Sequence, residues 1–417
     1  MRGADGRALK RSIVLGGLAG AWLVTGARAG RAQASDTTRV GHPRKWNVAE
    51  GSSGSARLEL ALLYDVSGFR QDSTSVSQVT RAPTVGQIRT DRVIVAGTIG
   101  RSHPSRFIAA ADYSGIQAGD RPAITVQDLA VSIPAGPVWF AIGRQKEGIS
   151  NQMLASTRIL PDVERSAAVL AFLPTRNDGL RLWGTITTKT SGRGGWTIGV
   201  FNDFLFNGLP LPENGEQVSG RLFWAPFVSA DSVRVIQLAL SGRWTDDRDG
   251  TIGFNAKPEV FESPDFMNTG KIPASGAALG DAELLLQQGG VSLTAELLPV
   301  RVTGAQPHSL TFGGAYAQVG WRPWGQPRDW DEETGALGRV RMNEHRVALE
   351  VGARYTRVDL SDQTIDGGVF DRASLALTLY GPHDLRVQVD YGYATLARNG
   401  GVGRTQLLTT RFQWELR

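Results

Sequence analysis

Along Arg57-Leu58-Glu59-Leu60-Ala61-Leu62-Leu63-Tyr64 every even position is apolar, while Arg57 and Glu59 lie between them. This period of two marks a strand with unlike faces. It returns where Val347, Leu349, Val351, Ala353 and Tyr355 share one face and Arg346, Glu350 and Arg354 the other. It returns again at Leu385, Val387, Val389, Tyr391 and Tyr393 against Arg386, Gln388 and Asp390. In the final segment Leu408, Thr410, Phe412, Trp414 and Leu416 oppose Arg411, Gln413 and Glu415. Charges on every second residue of a long strand cannot all enter a dry core, because unpaired burial costs roughly several kcal/mol each. They must face water inside something.

The same rule predicts strands near 57–66, 88–99, 106–113, 123–133, 137–145, 178–188, 195–204, 217–227, 233–243, 280–288, 291–302, 308–321, 343–356, 369–380, 384–395 and 404–416, sixteen in all. Their lengths suit the ~9–11 residues with which a tilted strand crosses a bilayer. Connections such as Gln288-Gly289-Gly290 and Gly381-Pro382-His383 are short and alternate with longer ones. One connection breaks the alternation: the count places 322–342, a long segment, on the short-turn side. The fold expected is an all-β, transmembrane antiparallel barrel of about 16 strands.

The N-terminus fixes the compartment. Arg2, Arg7, Lys10 and Arg11 precede an apolar run from Ile13 to Val24, and Ala32-Gln33-Ala34 follows. That order reads as a cleaved signal peptide over 1–34, because the run is too short for a membrane-spanning helix of about 20 residues. Residues 35–56 read as a short polar periplasmic leader and 57–417 as the barrel, which places the chain in the outer membrane and in contact with its lipid. Without residues 1–34, Lys plus Arg and Asp plus Glu stand at 39 each. No global basic field remains, and nucleic acid is excluded as a partner. The absence of cysteine removes disulfides, thiol catalysis and cysteine metal sites together.

Several segments resemble the phosphate-selective porin O and P family. Ile88-Arg89-Thr90-Asp91-Arg92-Val93-Ile94-Val95-Ala96-Gly97-Thr98-Ile99 is similar to its arginine-rich second strand, and Val126-Gln127-Asp128-Leu129-Ala130 to its strand with a central aspartate. Ile142-Gly143-Arg144-Gln145-Lys146 resembles the strand end before the family's constriction loop, and Val163-Glu164-Arg165-Ser166 a part of that loop. Phe312-Gly313-Gly314-Ala315-Tyr316-Ala317-Gln318 and Ala353-Arg354-Tyr355-Thr356-Arg357-Val358-Asp359-Leu360 follow in the family's order. The resemblance implies a sixteen-stranded porin, a third loop folded inward as a constriction, and a homotrimer. Phosphate selectivity is not carried over, because that property goes with lysine-rich inner surfaces and only five lysines follow residue 34.

Strand parity points Arg57, Arg181, Arg221, Arg243, Arg346, Arg354, Arg372, Arg386 and Arg411 toward the lumen, with Glu59, Glu296, Glu350, Asp390 and Glu415 among them. Arginine in excess over carboxylate favours anions in a narrow pore, unless the charges pair across strands and cancel. Within the inward loop, Arg144, Lys146, Arg158, Glu164 and Arg165 are the expected constriction residues, with Arg144 at the strand end. The five histidines are scattered and none forms an H-E-x-x-H or similar metal spacing, so no metal, cofactor or catalytic residue is expected. The function expected is passive diffusion of small hydrophilic solutes with an anion preference. The alternative is a barrel whose loops carry an adhesin or enzyme role.

Overall fold

The computed structural model describes residues 47–113, 124–188, 192–202, 215–246, 250–305, 308–342 and 347–417. The segments expected as a signal peptide (1–34) and as most of the polar leader, together with Arg346, lie outside the described residues. Sixteen strands close on themselves: β1 (Gly54–Gln71), β2 (Val85–Ile99), β3 (Ser105–Tyr113), β4 (Ile124–Ala135), β5 (Val138–Gln145), β6 (Asn177–Thr187), β7 (Arg193–Phe201), β8 (Gln217–Val228), β9 (Arg234–Asp246), β10 (Gly276–Gln288), β11 (Val291–Thr303), β12 (Leu310–Trp321), β13 (Ala348–Asp362), β14 (Ile365–Tyr380), β15 (Leu385–Arg398) and β16 (Gly401–Leu416). Each pairs antiparallel with its neighbours in sequence, and β1 with β16 from Leu60↔Leu416 to Gln71↔Thr405. Closure leaves no edge with unpaired backbone groups, the condition for a sheet in lipid. Among the described residues no helix is long and apolar enough to cross a membrane, so strands must do so.

Alternation sets the two faces. Leu240, Leu375, Leu297 and Leu222 point outward and are exposed, as are Val387, Val389 and Tyr391. Trp321 and Trp414 lie outward near the end of the barrel with the short turns, and Trp244 near the opposite end, as girdles at two interfaces would. Tight turns use residues suited to positive φ: Asn399 (φ 53°) and Gly400 (φ 71°) join β15 to β16.

Several strand boundaries differ from the sequence reading by a few residues, β1 most of all, which runs over Gly54–Gln71 and not 57–66. Val48–Gly51, assigned to the polar leader, forms a strand paired with Gly54–Arg57, because a hairpin there satisfies backbone groups beyond the start of β16 pairing. The thirteenth strand, expected from 343, is a strand over Ala348–Asp362, and 343–346 lie outside the described residues. The count of sixteen holds, so the long connection 322–347 does lie at the short-turn end. It carries its own hairpin, Arg328–Trp330 paired with Leu337–Val340.

Among the described residues, segments of three connections reach deep into the barrel. From the long-loop end comes 146–176, with short helices α1 (Asn151–Leu154) and α2 (Ala167–Phe172), and also 247–275. Ala167, Val169 and Phe172 pack with Phe266 and Met267 against Val302, Phe312, Val358, Phe370 and Leu396, which face inward from the wall. From the short-turn end comes the 328–340 hairpin, whose Trp330 and Leu337 pack on Phe223, Val235, Ala239 and Leu285.

Candidate functional site

The inward turn of 146–176 starts at Gly148, with φ +89°, where a Cβ would meet Thr197 and the Cδ of Arg181 at 3.0–3.3 Å. Only glycine suits both the backbone and the space. From there the loop lies against β11–β16. Gln152 N donates to Glu296 (2.8 Å), Ser374 donates to Asp162 (3.0 Å), and Arg386 donates to the carbonyls of Arg158 and Leu160. Arg411 is fully buried and forks onto Asp65 (2.7 and 2.6 Å), while also reaching Glu164 (3.0 Å) and the carbonyl of Val163. Arg158 pairs with Glu415 at 3.2 Å.

The constriction residues read from the sequence therefore share one loop but not one direction. Arg158 points into the wall, and Arg165 is buried within the loop, donating to the carbonyls of Gln152 and Ala155. Burial pushes Arg165 down to about 9. Lys146 donates to the carbonyls of Leu154 and Ala155, and Arg144 pairs with Asp178 at 3.2 Å on the parity opposite the lumen. Glu164 joins loop to wall twice, to Arg411 and to Arg89 at 2.6 Å. Burial alone would raise its pKa, yet the two guanidiniums outweigh it and hold Glu164 at about 2.

The 247–275 segment is fixed through Glu259, which accepts from Arg354, from Arg372 and from the backbone N–H of Ala167 (2.8 Å). Against its burial, Arg354 and Arg372 hold Glu259 at about 2. The 328–340 hairpin is held from many sides: Arg328 by Glu350, Trp330 Nε1 by Gln237 (2.9 Å), Thr334 O by Arg221, Glu333 by Arg106 (3.0 Å), and Arg339 by Glu415.

Parity set Arg221, Arg243, Arg354, Arg372, Arg386, Arg411, Glu350 and Asp390 inward, and inward they point. Arg221 pairs with Glu283, Arg243 with Glu147, and Arg372 with Asp390. All but Arg243 are buried, and their charges anchor inserted segments or one another. Inward side chains that keep partial exposure lie mainly along β2–β7 and the adjoining end of the 146–176 loop. There Arg89, Arg92, Arg106 and Arg176 are partly exposed, paired with Glu164, Asp112, Glu333 and Asp128. Arg57, on β1, pairs with Glu59. Among the described residues Arg181 has no ion pair, and its buried Nε has no acceptor; its guanidinium lies 4.5 Å from the Trp183 ring centroid. The sequence reading passed over Arg89, Arg92, Arg106 and Arg176 as lining residues, although the first two stood in its arginine-rich second strand.

Comparison with known proteins agrees with this architecture. The family model described as phosphate-selective porin O and P matches residues 57–416. An uncharacterized protein of Caulobacter vibrioides is 25% identical over 353 residues, covering 76% of this chain and 68% of its own length. Among solved structures, the anion-selective porin from Comamonas acidovorans aligns with a TM-score of 0.53 at 10% identity, over 87% of this chain and all of its own. OprB of Pseudomonas putida, in its high-pH structure, aligns at 0.52 and 11%, over 86% of this chain and 94% of its own. At such identities the likeness is one of fold.

Proposed function

Because the chain belongs to the phosphate-selective porin O and P family, and so is an outer-membrane porin and a channel rather than an enzyme, we propose that it passes small hydrophilic solutes by diffusion along the β2–β7 wall, with a preference for anions. The observation that carries the reading is the charge distribution on that wall. Arg89, Arg92, Arg106 and Arg176 each pair with a carboxylate, whereas Arg181 forms no ion pair among the described residues, its nearest acid Glu333 being engaged by Arg106. Paired charges cancel beyond their own separation, whereas an unpaired one acts across roughly 8 Å at physiological salt and further where protein excludes water. The net field along the path is therefore positive and set by few groups.

In this reading the 146–176 loop narrows the path by its bulk and presents Glu164 beside Arg89. Arg144, Lys146, Arg158 and Arg165 shape the constriction by holding the loop in place. The selectivity is for anions in general, since lysine is scarce and the arginines are already engaged. A homotrimer, implied by the family resemblance, completes the proposal and is tested by the mass of the detergent-solubilised complex. The selectivity is tested by the zero-current potential of the reconstituted chain across a KCl gradient. Chloride should be the more permeant ion, and Arg181→Gln should move the potential toward zero; a cation-selective wild type refutes the reading.

A further inference from the structure

Strand register aligns Arg106, Ser132, Ala141 and Arg181 in one row across β3–β6. Beside that row the side chains form a continuous stack. The Arg106 guanidinium lies 3.5 Å from the centroid of Trp139, Trp139 is stacked on Trp183 at 6.1 Å, and the Arg181 guanidinium lies 4.5 Å from the centroid of Trp183. Into this cradle the hairpin inserts Glu333. Both its oxygens accept from Arg106 (3.2 and 3.0 Å), and one also accepts from Trp183 Nε1. A cavity of about 30 Å³ adjoins it, lined by Arg181, Trp183, Thr197 and Glu333 among others. Arg181 faces it with its Nε buried and without an acceptor. Among the described residues this guanidinium has an aromatic face and the nearby charge of Glu333 but no ion pair, although its five donors suit a planar acceptor.

We propose that this cradle is a binding station for small organic carboxylates in transit, and that Glu333 is a tethered carboxylate competing for the same donors. The proposal rests on the porin reading above. A planar carboxylate is favoured because the donors are already set by one: a single guanidinium nitrogen of Arg106 that spans both oxygens and an indole N–H, with tryptophan surface for a short alkyl group. A tetrahedral phosphate dianion would meet the Glu333 charge with no lysine to offset it. A solute carboxylate is taken up by Arg181 beside Glu333, or replaces Glu333 on Arg106 and Trp183.

The test uses the full chain in planar bilayers, with chloride current measured while sodium propionate or inorganic phosphate is added. Propionate should reduce the current saturably at concentrations where phosphate does not. Arg181→Gln should weaken that block roughly tenfold, the scale of one lost charge-assisted contact, and Glu333→Gln should strengthen it. An intact chloride current unaffected by propionate overturns the proposal, as does stronger block by phosphate or equal block in Arg181→Gln. Should Arg181→Gln fail to assemble, Glu333→Gln decides alone: weaker or unchanged block overturns the competition. Loss of all current from assembled wild type would refute the porin reading instead.

Discussion

Replacing Arg411 by methionine keeps the stem that lies along the wall and removes the charge shared by Asp65 and Glu164. Both acids are buried, so the change leaves two carboxylates facing each other in a site of low polarity. Breaking a buried pair by removing one partner costs about 3–5 kcal/mol. Asp65 belongs to β1, whereas Glu164 and the Val163 carbonyl belong to the inserted loop. Glu164 keeps Arg89, so about half of the cost, ~2 kcal/mol, falls on local opening of the loop, a factor of roughly 30 in the open population. Because the chain has no cysteine, a single Val163→Cys supplies a clean reporter at a position only 1% exposed. In the Arg411→Met background its labelling by a water-soluble thiol reagent should accelerate by about that factor. An unchanged rate, with the barrel still resistant to heat-free detergent unfolding, would refute the claim that this arginine holds the loop to the wall.

Acid should have a related effect. Glu164 and Glu259 are held at about 2 against an ordinary 4.5, so each stabilises the packed loops fully above pH ~4.5 and loses that contribution, on the order of 3 kcal/mol, as pH falls toward 2. Labelled with a pyridyl disulfide, which stays reactive in acid, and referred to a free thiol at the same pH, Val163→Cys should stay protected from pH 8 to 5 and lose protection below about 4, while protection persisting to pH 2 would contradict the ion pairs. On the lipid face, Leu240→Arg and Leu375→Arg should each cost ~2–4 kcal/mol and impair assembly, whereas Ser132→Glu on the lumen face, in register with Arg106, should yield heat-modifiable barrels. Deleting 331–336, the hairpin tip that carries Glu333 and Thr334, should raise single-channel conductance; an unchanged conductance would show that the hairpin does not narrow the path.

The strand count and the facing of β1, β13, β15 and β16 were legible because a barrel in lipid must alternate, and alternation is local; the inward loop was expected only from the family resemblance. Which inward charges reach water was not. Arg372 and Arg57 carry the same signal in sequence, yet Arg372 is sealed under Glu259 from a loop more than a hundred residues away, while Arg57 keeps partial exposure. Parity also fails in β2, where inward Ile94 and Ala96 are as apolar as outward Val93 and Val95, so nothing local marks Arg92 as lumenal. The hairpin of 322–347 showed itself only as a connection too long for its side of the barrel. Its content, Trp330 between polar neighbours and Glu333 in a turn, acquires meaning only once Gln237, Arg106 and Trp183 are brought around it.

Scanning accessibility across the lumen tests most directly whether solutes follow the β2–β7 wall. Ser132→Cys on β4 lies on the free surface, and Thr378→Cys on β14 lies beneath the 146–176 loop, whose Pro161 carbonyl accepts from Thr378. With each single-cysteine chain conducting in a planar bilayer, an anionic, membrane-impermeant thiol reagent should step the current down at Ser132→Cys and leave Thr378→Cys unchanged. Modification of Thr378→Cys with Ser132→Cys unaffected would place the path on the opposite wall and contradict the account.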